Sequence, residues 1–458
     1  MSSGSYARVY RPTSADEVGE VLELARESGQ PLGLRGTGNS YGDASMNSSG
    51  PVLDISRMNR ILSLDPESGV VEVEGGVTLR QLWQYTLPRG FWPKVVSGTS
   101  FPSLAGLASM NIHGKNNFAV GTIGDAILEF DLMLPSGELM TCSRQANATL
   151  FHGAIGGLGM LGVFTRIKLK TKRVHSGKLL VHSFANRNMR ELMEYMQARR
   201  NGADYLVAWV DCFAKGEALG RGAIHRAHYL QRGEDLDADQ TRSLAYQDVK
   251  PNILGVIPKG ELWRPLRLFN NDPGFNLINT VKYHMGRYEG WCRPKYWTLN
   301  EFSFLLDYVP NWKWSYGRKP GHGLIQFQPF VPDAVAHDVF CEILRRSQAR
   351  GHTPYLGVIK RHRPDPFLLT HALNGWSFAL DYKLTPENRE SLFGFCRELV
   401  ELVIEAGGKF YFAKDSVLPP GAVERMYPKE SLAAFRELKR SCDPQELLAT
   451  DLWRRAFA

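Results

Sequence analysis

Three short stretches of the sequence carry residue types that could hold a ligand or move a proton. Residues 35–43 read RGTGNSYGD, residues 111–117 read NIHGKNN, and residues 413–416 read AKDS. Closely spaced glycines let successive backbone N–H groups converge on one anion. A histidine or a partly desolvated lysine can exchange a proton near neutral pH. The stretches therefore predict an anion-binding loop and two candidate proton-handling side chains, His113 and Lys414.

The glycine-rich stretch at 35–43 follows a short apolar run, PLGL, which reads as a buried strand, and loop-forming residues come after it. Backbone donors, with the side chains of Asn39 and Ser40, would hold a diphosphate without a helix dipole; the alternative is a glycine-rich surface turn. A literal GxGxxG at 157–162 has the order of its neighbours reversed, with a helical pattern before it and a strand pattern after it. We therefore do not interpret it as a dinucleotide-binding turn.

The elements around these stretches predict an α+β protein of two domains. Residues 12–29 have capping-box residues, helical spacing of apolar residues and a final glycine, which predict a helix. Strand-like stretches follow, up to about residue 175. Beyond it, alternating strands and amphipathic helices indicate a second domain. Residues 262–320 read as a loop rich in Trp, Tyr, Lys and Arg.

Composition limits the class of protein. The formal net charge of +8 favours an anionic partner. The main basic cluster, KLKTKR at 168–173, alternates like a solvated strand, so charge does not predict nucleic-acid binding. The six scattered cysteines predict free thiols in a reducing compartment. Neither a signal peptide, a membrane span nor a metal site is predicted, and a cytoplasmic location follows.

The order of the motifs resembles a known family. RGTGNSYGD, SGTSFPSLAG with NIHGKN, and LFHGAIGGLGMLGVFTRIKLK resemble the FAD domain of vanillyl-alcohol-oxidase-type flavoproteins. Later segments (GLIQFQPFVP, LGVIKRH, GWSFALDY, GKFYFAKDS, CDPQELLATDLWRR) resemble the branch that oxidises the ribose 2′-hydroxyl of a decaprenyl-linked phosphosugar to a ketone. The resemblance implies an FAD-binding (PCMH-type) domain at 1–175, a substrate-binding cap domain at 176–405 with the aromatic and basic loop 262–320, and a C-terminal segment, 406–458, that returns to the FAD domain.

The resemblance also assigns roles to residues. Lys414, Tyr41 and His113 would be catalytic, with Lys414 the first candidate to take or share the hydroxyl proton; the alternative is a surface lysine that pairs with Asp415. The residues that would bind FAD are Arg35, Gly36, Thr37, Gly38, Asn39, Ser40, Tyr41, Gly98, Thr99, Ser103, Gly106, Ser109, Ile112, His113, Gly114, Phe164 and Tyr411. Those that would bind substrate are Tyr41, Lys115, Gln326, Gln328, Lys360 and Lys414.

The sequence departs from the family's pattern at three positions. Many members attach the flavin covalently to a histidine at or near Asn39, and asparagine cannot form that bond, so FAD is expected to be non-covalent. Ala379 and Ser377 stand where the mycobacterial enzyme of the branch has cysteine and asparagine. Hydride transfer does not require that cysteine, so we expect only that inhibitors acting by its modification have no effect.

The resemblance implies partners, and the residues leave alternatives open. A lipid-linked phosphosugar would be the substrate, an NAD(P)H-dependent short-chain reductase would complete an epimerisation, and the segment 262–320 would contact the inner membrane peripherally or form an ordinary lid. The alternative enzyme is a soluble aldonolactone or sugar-alcohol oxidase that uses O2. A flavin-free scaffold and a reductase of C=C bonds are further alternatives.

Overall fold

The computed structural model describes residues 6–248, 252–253, 257–307 and 311–457. Residues 1–5 of the predicted FAD domain and residues 308–310 of the predicted aromatic loop lie outside the described residues. Helices and strands are mixed along the whole chain, which confirms the α+β class.

The first part of the chain contains two sheets. Three strands pair in parallel in the order β1-β3-β2: β1 (Val9–Tyr10), β2 (Gly33–Arg35) and β3 (Val52–Asp54). Six antiparallel strands form the other sheet: β4 (Ile61–Leu64), β5 (Val70–Glu74), β6 (Phe91–Pro93), β7 (Ile127–Met133), β8 (Leu139–Ser143) and β9 (Val163–Arg173). The helices of this part are α1 (Ala15–Ser28), α2 (Leu79–Thr86), α3 (Leu104–Ser109), α4 (Asn117–Val120), α5 (Ile123–Ala126) and α6 (Ala148–Ala154).

The helix caps, element order and burial pattern of this part agree with the predictions made from its sequence. The hydroxyl of Ser14 accepts from the N–H of Glu17, and Gly29, at φ 63°, ends helix α1, so the helix predicted at 12–29 is confirmed. Helix α6 precedes the GxGxxG sequence and strand β9 follows it, which confirms the reversed order. Strand β9 alternates between buried and partly exposed residues, so its basic cluster lies on a solvated strand face, as predicted.

A third, nine-stranded antiparallel sheet follows, in the order β15-β10-β12-β11-β18-β19-β17-β20, with β16 also paired to β19. Its strands are β10 (Lys178–Asn186), β11 (Tyr205–Val210), β12 (Gly222–Tyr229), β15 (Lys295–Thr298), β16 (Gly323–Phe327), β17 (Pro329–Pro332), β18 (Leu356–His362), β19 (Gly375–Leu384) and β20 (Lys409–Phe410), and β13 (Asn252–Ile253) and β14 (Ile257–Pro258) form a separate pair. Helices α7 (Met189–Arg199), α8 (Ala238–Thr241), α9 (Leu244–Gln247), α10 (Trp263–Leu268), α11 (Asp272–Trp291), α12 (Leu299–Ser303), α13 (Ala336–Ala349) and α14 (Arg389–Glu405) accompany it.

The prediction that residues 262–320 are loop-like is wrong for most of that segment. It contains α10, the twenty-residue helix α11, β15 and α12. Pro273 lies in the first turn of α11, where proline is tolerated. Gly286 lies where the helix meets the sheet, since a Cβ there would be 3.0 Å from the Cβ of Ala223.

The C-terminal residues join the two parts of the chain. After β20 come α15 (Ala422–Met426), α16 (Lys429–Cys442) and α17 (Asp451–Ala456). The N–H of Leu32 donates to the carbonyl of Leu447 at 2.7 Å, so the segment lies beside β2. All six cysteines are free thiols, as predicted. Among the described residues, no helix is both long and apolar enough to cross a bilayer.

Candidate active site

A cavity of about 630 Å³ lies where the glycine-rich loops of the first part meet the nine-stranded sheet and the C-terminal segment. Its volume falls within the range of about 300–1,000 Å³ that is usual for cofactor and ligand sites. Every predicted site residue except Gly114 lines it. A Cβ on Gly114 would meet Asn116 and the carbonyl of Val96, so this glycine packs away from the cavity.

The loop after β2 offers a row of backbone donors to the cavity. Within the described residues, the N–H groups of residues 36–40 have no hydrogen-bond acceptor. Gly38 has φ 66°, which favours glycine, and a Cβ on Gly36 would lie 2.0 Å from the hydroxyl oxygen of Ser103. That hydroxyl is buried and has no partner in the described chain. Free amides with a hydroxyl beside them suit the diphosphate of a dinucleotide.

The second glycine-rich stretch forms the facing wall. Thr37 links the two loops, since its hydroxyl donates to the carbonyl of Phe101 at 2.9 Å and accepts from the N–H of Ser103 at 3.2 Å. The first two amides of α3, at Leu104 and Ala105, donate to the backbone carbonyls of Val77 and Gly75. These two N–H groups are therefore not free to bind an anion, in contrast to those of the loop after β2.

His113 lies in a buried cluster of imidazoles. Its Nδ1 is 3.2 Å from Nε2 of His371, and its Nε2 is 3.0 Å from the side-chain amide of Gln328. His362 lies edge-on to the same ring, with centroids 5.0 Å apart, and bonds the hydroxyl of Ser377 at 2.7 Å. Burial lowers the pKa of His113 well below its usual value, and the charge of Lys360 is the next largest cause. Burial, followed by the charges of Lys409 and Lys360, lowers the pKa of His371 to about 3.

Lys414 reaches the cavity from the C-terminal segment and meets the N-terminal loop there. Its Nζ lies 3.4 Å from the centroid of the Tyr41 ring, and Nζ of Lys313 lies 4.0 Å from the same centroid. The N–H of Tyr41 donates to the carbonyl of Ala413 at 2.9 Å. A Cβ on Gly42 would be 1.8 Å from the carbonyl oxygen of Asp415, so only glycine permits this close approach.

An ion-pair network stabilises the same contact between the N-terminal loop and the C-terminal segment, which we call the junction. The guanidinium of Arg455 donates to both carboxylate oxygens of Asp43, at 2.8 and 2.9 Å, and to Asp415 at 2.7 Å. The carboxylate of Asp415 is almost fully buried. It pairs with Arg455, so the alternative of an ordinary Lys414–Asp415 surface pair finds no support.

One buried carboxylate lies near these lysines. Asp381, on β19, accepts from the side-chain amide of Gln326 at 2.6 Å, and its other oxygen has no partner among the described residues. Burial raises the pKa of Asp381 to about 6, although Lys414 and Lys313 oppose the rise. Burial, with the charge of Lys313, lowers the pKa of Lys414 well below 10.5, and Asp381 opposes this.

Four lysines of the cavity, Lys115, Lys313, Lys360 and Lys414, divide into two groups. The amine of Lys115 donates to the backbone carbonyls of Phe302 and Ser303. The amines of Lys313, Lys360 and Lys414 have no hydrogen-bond acceptor in the described part of the chain. Burial lowers the pKa of Lys360 to about 8. Three amines with one buried carboxylate nearby favour an anionic ligand.

The cavity continues beyond the lysines as a largely apolar arm. The arm runs over the nine-stranded sheet, and its lining residues come mainly from β11, β18, β15 and α12: Val207, Trp209, Leu356, Val358, Trp297 and Phe302. Lys282 of α11 also lines it, with its amine 4.5 Å from the centroid of the Trp209 ring. The arm therefore extends from the lysines to the underside of α11.

Four residues of the site were not predicted from the sequence: Lys313, His362, His371 and Asp381. His362 is two positions from Lys360 on one strand, so its side chain points to the same face, which was a usable signal. Asp381 is a carboxylate within an otherwise apolar strand, which was a second signal. Nothing in the sequence around His371 indicates its contact with His113.

Comparison with known proteins agrees with the ligand suggested by the cavity. Residues 6–143 match the family model of an FAD binding domain. The chain is 29% identical over 450 residues, or 95% of its length and 91% of the relative, to decaprenylphosphoryl-beta-D-ribose oxidase of Mycolicibacterium smegmatis. It is also 29% identical over 196 residues to L-gulonolactone oxidase of Mus musculus, covering 43% of each chain. It is 30% identical over 166 residues to D-arabinono-1,4-lactone oxidase of Yarrowia lipolytica, covering 35% of this chain and 31% of that one.

These findings identify the class of the protein. The chain binds FAD and is an FAD-dependent oxidoreductase, similar to those of the vanillyl-alcohol-oxidase type. Across nearly its whole length it is similar to decaprenylphosphoryl-beta-D-ribose oxidase, whereas its similarity to the lactone oxidases covers less than half of the chain.

Proposed function

We propose that this enzyme oxidises the 2′-hydroxyl of a polyprenyl-phosphoryl ribose to a ketone, as the first half of an epimerisation. One observation carries the proposal: the amines of Lys313, Lys360 and Lys414 have no protein acceptor and lie between the FAD-binding loops and an apolar arm. A phosphate would neutralise the amines, and a polyprenyl chain would fill the arm. The similarity to decaprenylphosphoryl-beta-D-ribose oxidase supports the same substrate.

The predicted cofactor residues line the cavity in an arrangement that suits FAD. The free amides of residues 36–40 would hold the diphosphate, and the small residues of the facing wall would lie along the dinucleotide. The rings of His113 and Tyr411, with centroids 5.0 Å apart, would border the flavin ring together with Phe164. Asn39 cannot form a covalent flavin bond, so we propose that FAD is dissociable. Bound FAD supplies the acceptor of the hydride that leaves the carbinol carbon.

Lys414 is the residue that we propose takes the hydroxyl proton. An amine with a lowered pKa is neutral in a larger fraction of molecules, and only the neutral form can accept a proton. The oxidation then balances, since the alcohol loses a hydride from carbon and a proton from oxygen. Burial and the charge of Asp381 raise the pKa of Tyr41, so its phenol stays protonated and can orient the hydroxyl as a donor.

The other predicted substrate residues would position the sugar and its phosphate. Lys360 and Lys313 would contact the phosphate, for which a lysine offers a mobile positive charge. Gln326 and Gln328 are held by Asp381 and His113, and would present fixed polar groups to the sugar. The amine of Lys115 donates to two backbone carbonyls, so it would bind the substrate only if one of these hydrogen bonds were replaced.

A second candidate function is supported by the lactone-oxidase relatives. L-gulonolactone oxidase and D-arabinono-1,4-lactone oxidase are similar to this chain over part of its length. A soluble sugar-lactone or sugar-alcohol oxidase that uses O2 would need neither free lysines nor an apolar arm.

In our first proposal, a separate NAD(P)H-dependent reductase would reduce the ketone and so complete the epimerisation.

Product analysis distinguishes the two functions. The flavin-loaded enzyme is incubated with polyprenyl-phosphoryl ribose or with aldonolactones and free sugar alcohols, and products are identified by mass spectrometry while peroxide is measured. We expect the phosphosugar to lose two hydrogen atoms and the free compounds to remain unchanged. Turnover of the free compounds with peroxide release, and none of the phosphosugar, would favour the second function.

A further inference from the structure

Helix α11 carries a continuous row of exposed apolar side chains. Leu277, Val281, Met285, Tyr288 and Trp291 are 55%, 49%, 59%, 67% and 79% exposed. Their spacings of four, four, three and three residues place them within an arc of about 120° on one helix face, which also includes the exposed His284. We call these five residues the α11 stripe. A continuous exposed row of this kind marks an interaction surface, in contrast to single exposed apolar residues elsewhere.

The opposite face of α11 accounts for the packing of the helix. Asn279, Tyr283 and Gly286 are buried. The ring of Tyr283 lies beneath the guanidinium of Arg221, 4.6 Å from its centroid, and Gly286 contacts Ala223 of β12. The helix is thus held on the sheet by one face, and the stripe points away from the protein.

Cationic side chains flank the stripe in the sequence and at its C-terminal end. Arg287 lies over the ring of Trp291, 5.7 Å from its centroid, Arg293 is exposed two residues after that tryptophan, and Arg267 is exposed in α10, five residues before α11 begins. None of these three arginines forms an ion pair within the described residues. Apolar and aromatic residues with unpaired arginines at their edge are the pattern of helices that lie in a membrane interface.

We propose that the α11 stripe docks on the surface of an anionic lipid bilayer. The helix lies parallel to the surface, with the stripe at the boundary between headgroups and acyl chains and the three arginines on lipid phosphates. A two-fold contact between copies of this chain is disfavoured, because it would bring the same unpaired arginines close together. The apolar arm of the cavity ends beneath this helix, at Lys282, so the docked surface lies next to the cavity.

Vesicle binding by the full-length, flavin-loaded enzyme tests this inference. The variant Met285→Asp with Trp291→Asp places two carboxylates in the stripe. The matched control, Leu24→Asp with Leu236→Asp, makes the same kind of change at exposed apolar positions elsewhere, 52% and 96% exposed. Flotation is measured with vesicles of phosphatidylcholine alone or mixed with phosphatidylglycerol. Flavin content and melting temperature show that each variant is folded.

The inference predicts binding to the mixed vesicles, weakened by salt, and at least a tenfold loss of affinity in the stripe variant but not in the control. Four results would overturn it: no binding by the unchanged enzyme, equal binding to neutral vesicles, equal losses in both variants, or a concentration-dependent dimer that only the stripe variant abolishes. The assay contains no substrate, so its failure would leave the proposed reaction standing, and failure of the reaction would leave docking standing.

Discussion

Asp381 acts on the proton chemistry of the cavity through its charge. Its carboxylate raises the pKa of Lys414, while burial and Lys313 lower it. In the proposed mechanism the neutral amine of Lys414 accepts the proton, so turnover should fall as the pH falls through the pKa of Lys414.

Replacing Asp381 with asparagine should shift the acid limb of the pH profile of kcat/KM to lower pH, since the charge that favours the ammonium form is lost. The difference should appear above about pH 6, where the Asp381 carboxylate is ionised. Asp338→Asn, at an exposed carboxylate, serves as the control. An acid limb that stays in place or moves to higher pH would count against the assigned role of Lys414.

The buried histidines make stability depend on pH. The pKa of His371 is about 3 in the folded protein and about 6.5 in an unfolded chain. Between these values the unfolded state binds one more proton, so the free energy of unfolding decreases as the pH falls. When the pH falls from 7 to 5, the free energy of unfolding of His371→Gln should therefore decrease by about 2 kcal/mol less than that of the unchanged enzyme. Urea unfolding at the two pH values measures this difference. The control His322→Gln, at a partly exposed histidine, should show the same pH dependence as the unchanged enzyme. The same pH dependence in His371→Gln would contradict the prediction.

Among single residues, the sequence predicts those that stand in short motifs. It does not predict residues that are distant in the chain and come close only in the fold. Lys414 and His113 stand in recognisable short motifs. Asp381 and Lys313 affect Lys414 from separate elements, and only the folded chain brings those elements together.

The glycine-rich loop after β2 has geometric requirements that a single methyl group would violate. Gly36→Ala would place a Cβ 2.0 Å from the hydroxyl oxygen of Ser103, so the loop would have to move. We expect the dissociation constant for FAD to rise at least tenfold, measured by flavin fluorescence. Gly19→Ala, in helix α1 with nothing within 4 Å, should leave FAD affinity unchanged and stabilise the protein by up to about 1 kcal/mol. Unchanged FAD affinity in Gly36→Ala would show that this loop does not hold the cofactor.

Arg455 joins the C-terminal helix α17 to the loops that carry Tyr41 and Lys414. Arg455→Met leaves the buried carboxylate of Asp415 without its cation, which should lower the free energy of unfolding by about 3 kcal/mol. Arg440→Met, at an exposed pair with Glu437, should change it by less than about 1 kcal/mol. Equal effects in chemical unfolding would mean that the junction does not depend on this network.

Elements with clear caps were predictable, and those whose glycines serve packing were not. Helix α1 has a serine cap and a glycine end. Helix α11 contains Gly274, Gly286 and Gly290, although glycine is a poor helix former. All three lie close to neighbouring residues. A Cβ on Gly274 would be 2.4 Å from the carbonyl oxygen of Phe269, one on Gly286 would be 3.0 Å from the Cβ of Ala223, and one on Gly290 would be 3.2 Å from the carbonyl oxygen of Ser183. The sequence shows the glycine but not the surface against which it packs.

In the whole molecule, the cavity forms where three distant parts of the chain meet. The N-terminal loop supplies backbone donors, the nine-stranded sheet supplies the apolar arm, and the C-terminal segment supplies Lys414. Motif order indicated that the first and last parts act together. The arm was not predictable, because its residues come from strands whose pairing order differs from their order in the chain.

Anaerobic mixing of the flavin-loaded enzyme with polyprenyl-phosphoryl ribose, followed by the loss of flavin absorbance, tests the central claim most directly. The phosphosugar should bleach the flavin in a single turnover, the phosphate-free sugar should not, and Lys414→Met should slow bleaching by about 10²–10⁴-fold without loss of bound FAD. Lys172→Met, at a lysine that contacts Tyr229 away from the cavity, should bleach at the unchanged rate. Bleaching by the free sugar alone, or at the same rate in the Lys414 variant, would contradict the account.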